Sequence, residues 1–130
     1  IKLKYKIEQG ILANVDTLLM TRLFINLISN AYQYSPENTT ITVSLKTEGE
    51  NVVFSVKDEG IGIAEEHLSK IWDRFYQVDS SRTGDRNGSS GLGLSMVKWI
   101  ADRHNGELTV NSEVSKGSEF IFKIKGCNNV

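Results

Sequence analysis

The sequence predicts an α+β fold: a two-layer sandwich in which one mixed, mostly antiparallel sheet is covered on one face by about three helices. Three observations carry this. Short segments of apolar–polar alternation precede, separate and follow two long stretches of helical periodicity. The later alternating segments come in adjacent pairs, which favours hairpins over crossover connections. No repeats or low-complexity tracts interrupt the pattern, so residues 1–130 read as one domain.

Taken in order, Ile1, Leu3, Tyr5 and Ile7 alternate with Lys2, Lys4 and Lys6, the pattern of a strand with one wet face. The lysines read as the solvated side of a sheet rather than a binding patch. Asp16 offers an N-cap, after which Leu19, Leu23, Leu27 and Ala31 recur at helical spacing through Tyr34. Ser35-Pro36-Glu37-Asn38 ends that helix. Ile41, Val43 and Leu45, then Val52 to Val56 beyond Gly49, read as two strands of a hairpin. Residues 64–75 are helical but broken in two. Residues 77–90 are polar, glycine-bearing and aperiodic, a long mobile loop of the kind that is usually functional. Residues 92–104 form a second amphipathic helix closed by Asn105-Gly106, and residues 107–111 and 118–124 are the last strands. The order expected over the whole chain is two strands, helix, two strands, helices, loop, helix, two strands.

Composition narrows the function. Of 130 residues, 39% are hydrophobic and 24% charged, ordinary for a globular domain, and the net charge of −1 gives no reason to expect nucleic acid as partner. The lone Cys127 cannot close an internal disulfide, which fits a reducing compartment. No apolar run approaches the roughly 18 residues of a membrane helix. A chain opening on Ile1 rather than Met reads as a piece of something longer.

Three segments carry chemistry. Arg22, Asn26, Asn30 and Gln33 form one polar stripe on an otherwise apolar helix. The stripe is either a solvent face or a ligand face. Asparagine is a mediocre helix former, and a solvent face usually collects Lys and Glu. Amide oxygens at i and i+4 can ligate a hard cation such as Mg²⁺, while the NH₂ groups reach phosphate oxygens. Asp58-Glu59-Gly60-Ile61-Gly62 follows a strand directly; its aspartate can accept from an exocyclic amine such as adenine N6, and its glycines let a ligand approach the backbone. By itself it is also an ordinary strand-ending turn. Gly88-Ser89-Ser90-Gly91-Leu92-Gly93-Leu94 opens a helix, where free N–H groups and the positive helix end attract anions. It fits neither the Rossmann fingerprint nor the P-loop, since Met96 stands where the former needs glycine and no Gly-Lys-Ser/Thr follows.

Together these residues resemble the histidine-kinase ATP-binding domain. Asn26-Leu27-Ile28-Ser29-Asn30-Ala31 with Tyr34 is similar to its N box, Asp58-Glu59-Gly60-Ile61-Gly62-Ile63 to its G1 box, Ile71-Trp72-Asp73-Arg74-Phe75-Tyr76 to its F box and Gly91-Leu92-Gly93-Leu94 to its G2 box. The four occur in order, and the match runs nearly the whole chain, through Lys116-Gly117-Ser118. The resemblance implies the Bergerat sandwich, with ATP between the first helix and the glycine loops. It implies that Asn30 is the Mg²⁺ ligand, that Asn26 lies near the phosphates and that this pair serves catalysis. Asp58 would bind adenine N6, Tyr34 would pack near the base, and Gly60 and Gly62 would admit the nucleotide, with Gln33, Ile63 and Phe75 along the site. Residues 77–90 would be the ATP lid, carrying Arg82; Gly91 and Gly93 would hinge it and, with Leu92 and Leu94, bound the phosphate site. Ser118 matches a hydroxyl that supports the adenine-binding aspartate, directly or through water. The implied partners are ATP or ADP, a histidine-bearing dimerisation domain and, indirectly, a response regulator. The fragment itself is then a monomer, and a cytoplasmic part of a membrane-anchored parent.

Two departures stand out. Gln33 and Gln77 occupy positions where the family commonly has basic residues that meet phosphate. Charge-assisted bonds are roughly twice as strong as neutral ones, so phosphotransfer is affected more than adenine binding, unless Arg82, Arg86 or Lys98 compensates. Related ATPases carry a glutamate base four residues before the key asparagine; Asn26 stands there instead and cannot act as a base. His67 and His104 read as a surface residue and a helix C-terminal residue rather than as phosphoacceptors or metal ligands. Three functions remain open: a kinase domain acting on a separate histidine, a nucleotide-binding module that signals by conformation with little transfer, and an ATPase or anti-sigma serine kinase of the same fold.

Overall fold

The computed structural model describes residues 1–73 and 93–126. A five-stranded sheet has the order β1-β2-β3-β5-β4, with β1 (Lys2–Ile7), β2 (Thr40–Glu48), β3 (Asn51–Lys57), β4 (Glu107–Glu113) and β5 (Gly117–Lys125). Only β1 is parallel to its neighbour; the other three pairings are antiparallel. Among the described residues, helices α1 (Thr17–Tyr34), α2 (Glu65–Leu68) and α3 (Gly93–Arg103) complete the element order. The mixed sheet with three helices is the architecture expected from the sequence. One strand rather than two precedes α1: residues 8–15 form no strand among the described residues.

The long helix forms where its pattern is strongest. The Asp16 carboxylate accepts from the Leu19 N–H at 2.9 Å, and Met20, Leu23, Leu27 and Ala31 turn into the core. Ser35 stops it, its hydroxyl donating to the Ala31 carbonyl at 2.6 Å. The β2–β3 hairpin turns through Gly49, whose φ of 61° suits the first position of a tight hairpin turn. Among the described residues of the segment expected to be a broken helix, only α2 is α-helical. Beyond it, N–H bonds from Lys70 to His67 and from Asp73 to Lys70 span three residues each, a run of tight turns. At the end of α3, Asn105 takes the left-handed φ of 55°, and the Gly106 N–H bonds back to Ala101. Gly106 is needed for space: a Cβ there would meet the Phe122 ring at 2.4 Å.

The core lies between helices and sheet. Leu23, Leu27, Val56, Val97, Ile100, Phe120 and Phe122 are fully buried, each contributing roughly 1.5–3 kcal/mol for a large apolar side chain. Phe24 stacks on Phe54 with centroids 4.1 Å apart, and Trp72 meets Phe120 edge-on at 5.8 Å. Phe120, Phe122 and Ile124 share the buried face of β5, as their alternation requires.

The alternation of β1 has a different outcome. Leu3, Tyr5 and Ile7 stand in register with Ile41, Val43 and Leu45, on the helix-side face. Yet the strand is exposed along its whole length, with Tyr5 at 71%. β1 is the sheet edge, one strand beyond β2 and β3, on which α1 packs. Both of its faces are therefore wet.

Candidate functional site

The site residues converge at the end of the sheet where β3 stops and β5 begins. Asp58 follows β3 directly and is 4% exposed. Its Oδ1 accepts from the Gly60 N–H at 2.9 Å and from the Ser118 N–H at 3.1 Å. Among the described residues nothing bonds Oδ2, which leaves a fixed carboxylate oxygen to accept from a ligand. Burial pushes the Asp58 carboxyl above the ordinary aspartate value, and the two backbone N–H groups oppose that rise without cancelling it.

The loop after Asp58 is stitched on both sides. Its Ile61 N–H reaches the Tyr34 carbonyl at the end of α1 at 3.4 Å, and the Ile61 carbonyl accepts from Ser115 at 2.8 Å. Gly60 and Gly62 each have a packing reason of their own. A Cβ on Gly60 would lie 2.4 Å from the Tyr34 carbonyl oxygen. Gly62 has a φ of 75° and sits against the Glu113 carbonyl at the end of β4. Ile63 ends the loop half-buried against the core and donates its N–H to Ser112 Oγ at 2.7 Å.

Ser118 holds Asp58 through its backbone, not its hydroxyl. The hydroxyl is 2.7 Å from Ser112 Oγ, and Ser112 also bonds the Gly117 carbonyl at 3.1 Å. Ser112 was not singled out by the sequence; a serine near a strand end carries no signal of such a network. Its removal orphans the Ile63 N–H, so Ser112→Ala is expected to cost about 1–2 kcal/mol in urea unfolding. Ser118→Ala keeps the backbone bond to Asp58 and should cost less.

On the facing flank, Asn26, Asn30, Gln33 and Tyr34 of α1 are all half-buried, while Arg22 is exposed. The stripe is thus a boundary between core and solvent rather than a free solvent face. Asn26 Nδ2 lies 3.5 Å from the carbonyl of Gly93, the first residue of α3, so the amide stripe and the start of α3 adjoin. No acidic residue sits in the first turn of α3 to oppose an anion there. Leu94 is half-buried and packs on the core. Phe75, Arg82, Gly91 and Leu92, with the expected lid at 77–90, lie outside the described residues.

His104 plays a part that its helix position only hinted at. Its Nε2 accepts from the Asp16 N–H at 3.0 Å, so Nδ1 carries the proton and donates to the Ile100 carbonyl at 2.8 Å. The ring joins the end of α3 to the N-cap of α1.

A buried carboxylate held by two backbone N–H groups, opposite a helix flank of amides, suits an aminopurine ring on one side and phosphates on the other. Residues 15–126 match the family of histidine kinase-, DNA gyrase B- and HSP90-like ATPases. The chain belongs to that family. It is an ATP-binding domain of the kind that sensor histidine kinases carry. Sensor-like histidine kinase SenX3 of Mycolicibacterium smegmatis is 38% identical over 109 residues, 84% of this chain and 28% of that one. Sensor protein SrrB of Staphylococcus aureus is 42% identical over 106 residues, 81% of this chain and 18% of the relative. The chain therefore spans under a third of these relatives' lengths. Among solved structures, the catalytic domain of histidine kinase ThkA superposes with a TM-score of 0.79 at 27% identity, covering 95% of this chain and 78% of that one.

Proposed function

We propose that this domain binds ATP with Mg²⁺ between α1 and the loop after Asp58, and transfers the γ-phosphoryl group to a histidine on a separate dimerisation domain of a longer sensor kinase. A response regulator is then served indirectly, and the domain works in the cytoplasm as a monomer. The observation that carries the reading is Asp58: a buried carboxylate whose Oδ1 is fixed by Gly60 and Ser118 and whose Oδ2 is left to accept from an adenine amine.

The amide flank fits the rest of the ligand. Asn30 would hold the Mg²⁺, which neutralises phosphate charge when bound. Asn26 and Gln33 would reach phosphate oxygens, and Tyr34, Ile63 and Leu94 would bound the site. Asn26 is an amide where a hydrolase needs a base, so water is poorly activated and in-line transfer to a positioned histidine is favoured. The test is calorimetric titration with ADP and a non-hydrolysable ATP analogue, with and without Mg²⁺. Asn30→Ala is expected to weaken binding about tenfold in Mg²⁺ and to leave Mg²⁺-free binding unchanged, the loss of one ligand bond of about 1.4 kcal/mol. Equal weakening in both conditions would remove Asn30 from the metal.

The second reading, a nucleotide-binding module that signals by conformation, is favoured by Gln33 in place of a basic residue. Incubation with ATP and a histidine-bearing helical domain separates the two: phosphohistidine formation supports the kinase, and tight ATP binding without it supports the module.

A further inference from the structure

A cavity of about 220 Å³ lies at the other end of the sandwich. Val52, on its lining, stands six residues before Asp58 on one strand, roughly 20 Å away at the rise of a strand. Every lining residue is apolar. The sheet, with Phe54, forms the floor; Met20 and Phe24 of α1 form a wall; residues 11–15 form the roof, turning Ile11, Ala13 and Val15 inward while Leu12 and Asn14 stay exposed.

Size and lining together select an occupant. The cavity is partly open to solvent, yet no polar side chain lines it to give water the two to four partners it needs, and an apolar cavity of about 150 Å³ in another protein takes benzene. A charged or strongly polar ligand would lose its hydration here with nothing to replace it.

The roof supplies an entrance. Glu8 is anchored before it, its N–H on the Leu45 carbonyl, and Asp16 after it, its N–H on His104. Among the described residues, no backbone hydrogen bond joins residues 11–15 to the sheet. Gly10, immediately before the roof, has a φ of 77°, a turn conformation that glycine adopts without strain. Among the described residues the roof meets the sheet through side-chain packing rather than through ladder bonds.

We infer that this cavity binds one compact, uncharged apolar molecule of one or two fused rings, indole in size, entering beneath residues 11–15. The site is separate from the proposed nucleotide site and stands whether or not that reading does.

The sequence supplies its own probe and control. Of its two methionines, Met20 lines the cavity and Met96 does not. The experiment is titration of the whole chain with indole, following the two ¹³C-labelled methyl resonances. The expected result is a saturable shift at Met20, little change at Met96, and a Tm that rises with indole concentration. Ala13→Leu, which fills the cavity from the roof, should weaken binding at least tenfold while its Met96 resonance stays native. Should that variant fail to fold, the smaller Ala13→Val should weaken binding by a lesser factor. No saturation at Met20, equal shifts at both methyls, or unchanged affinity in the folded filled variant would overturn the inference.

Discussion

Asp58→Asn is expected to weaken adenine-nucleotide binding by about 100-fold or more while leaving the domain folded. The side chains are isosteric, and an asparagine oxygen can still accept from the Gly60 and Ser118 N–H groups that fix Oδ1. The amide nitrogen then replaces Oδ2 and faces the ligand amine donor to donor. A buried bond to a charged group is worth roughly 1.5–3 kcal/mol, and an unpaired donor adds its own desolvation, so a loss near 2.8 kcal/mol, or 100-fold, is the expected size. Isothermal titration with ADP reads it directly. Binding within tenfold of wild type would mean that Asp58 does not meet the base.

The same residue sets a pH dependence whose two parts have opposite signs. Burial raises the Asp58 carboxyl above its unfolded value, so the folded protein takes up this proton more readily than the unfolded chain. Ionised Asp58 thus weighs against folding at neutral pH, and that penalty is relieved as pH falls through the raised folded pKa. Nucleotide affinity moves the other way: it depends on the carboxylate and is expected to fall over the same interval, starting above the range of an exposed aspartate. Asp58→Asn, neutral throughout, should be at least as stable as wild type near pH 7 and should lose this part of the stability–pH profile. A variant clearly less stable than wild type would show that the charge is better compensated than its burial implies.

Gly117→Ala is expected to lower stability by about 3 kcal/mol, a large effect for one methyl group. Gly117 opens β5 with a φ of 113°, where L side chains are strained. Its Cβ would lie 2.1 Å from the Asp58 carbonyl oxygen and 3.0 Å from Glu59 Cα. Both obstacles are backbone, so no rotamer change relieves them. Either β5 withdraws from Asp58, breaking the Ser118 N–H bond to Oδ1 and the Asp58 N–H bond to the Ser118 carbonyl, or the loop after β3 moves. Against a typical total of roughly 5–15 kcal/mol the change is large. Urea denaturation gives the stability, and nucleotide titration of the remaining folded protein should show weakened binding, because Asp58 is displaced. Wild-type stability in the variant would mean that the approach of β5 to Asp58 is looser than these contacts imply.

These two residues differ in how far the sequence revealed them. Asp58 was visible because a carboxylate between a strand and a glycine pair is a local pattern. Gly117 appeared only as the tail of a resemblance, since nothing near it in sequence says that the Asp58 backbone lies against it. Sequence alone determined what is local: the 3.6-residue period of α1 and α3, the alternation of β2 and β5, the short apolar run of β3 and the glycine-flanked turns. Each follows from which side of a short segment meets the core, information carried by residues a few positions apart.

The tertiary structure decided what depends on partners far along the chain. Ile63 and Ser112 are 49 residues apart, Ser118 and Asp58 are 60, and His104 and Asp16 are 88. No spacing rule reaches across such distances, because the first two contacts exist only once the sheet order β3-β5-β4 brings those segments to one end, and the third only once α3 packs along α1. The exposed apolar face of β1 makes the same point in reverse. Its alternation specifies a strand, but whether Leu3, Tyr5 and Ile7 are covered depends on where α1 packs, and α1 packs on β2 and β3. Local period fixes the kind of element; burial is fixed by which surfaces the chain brings together.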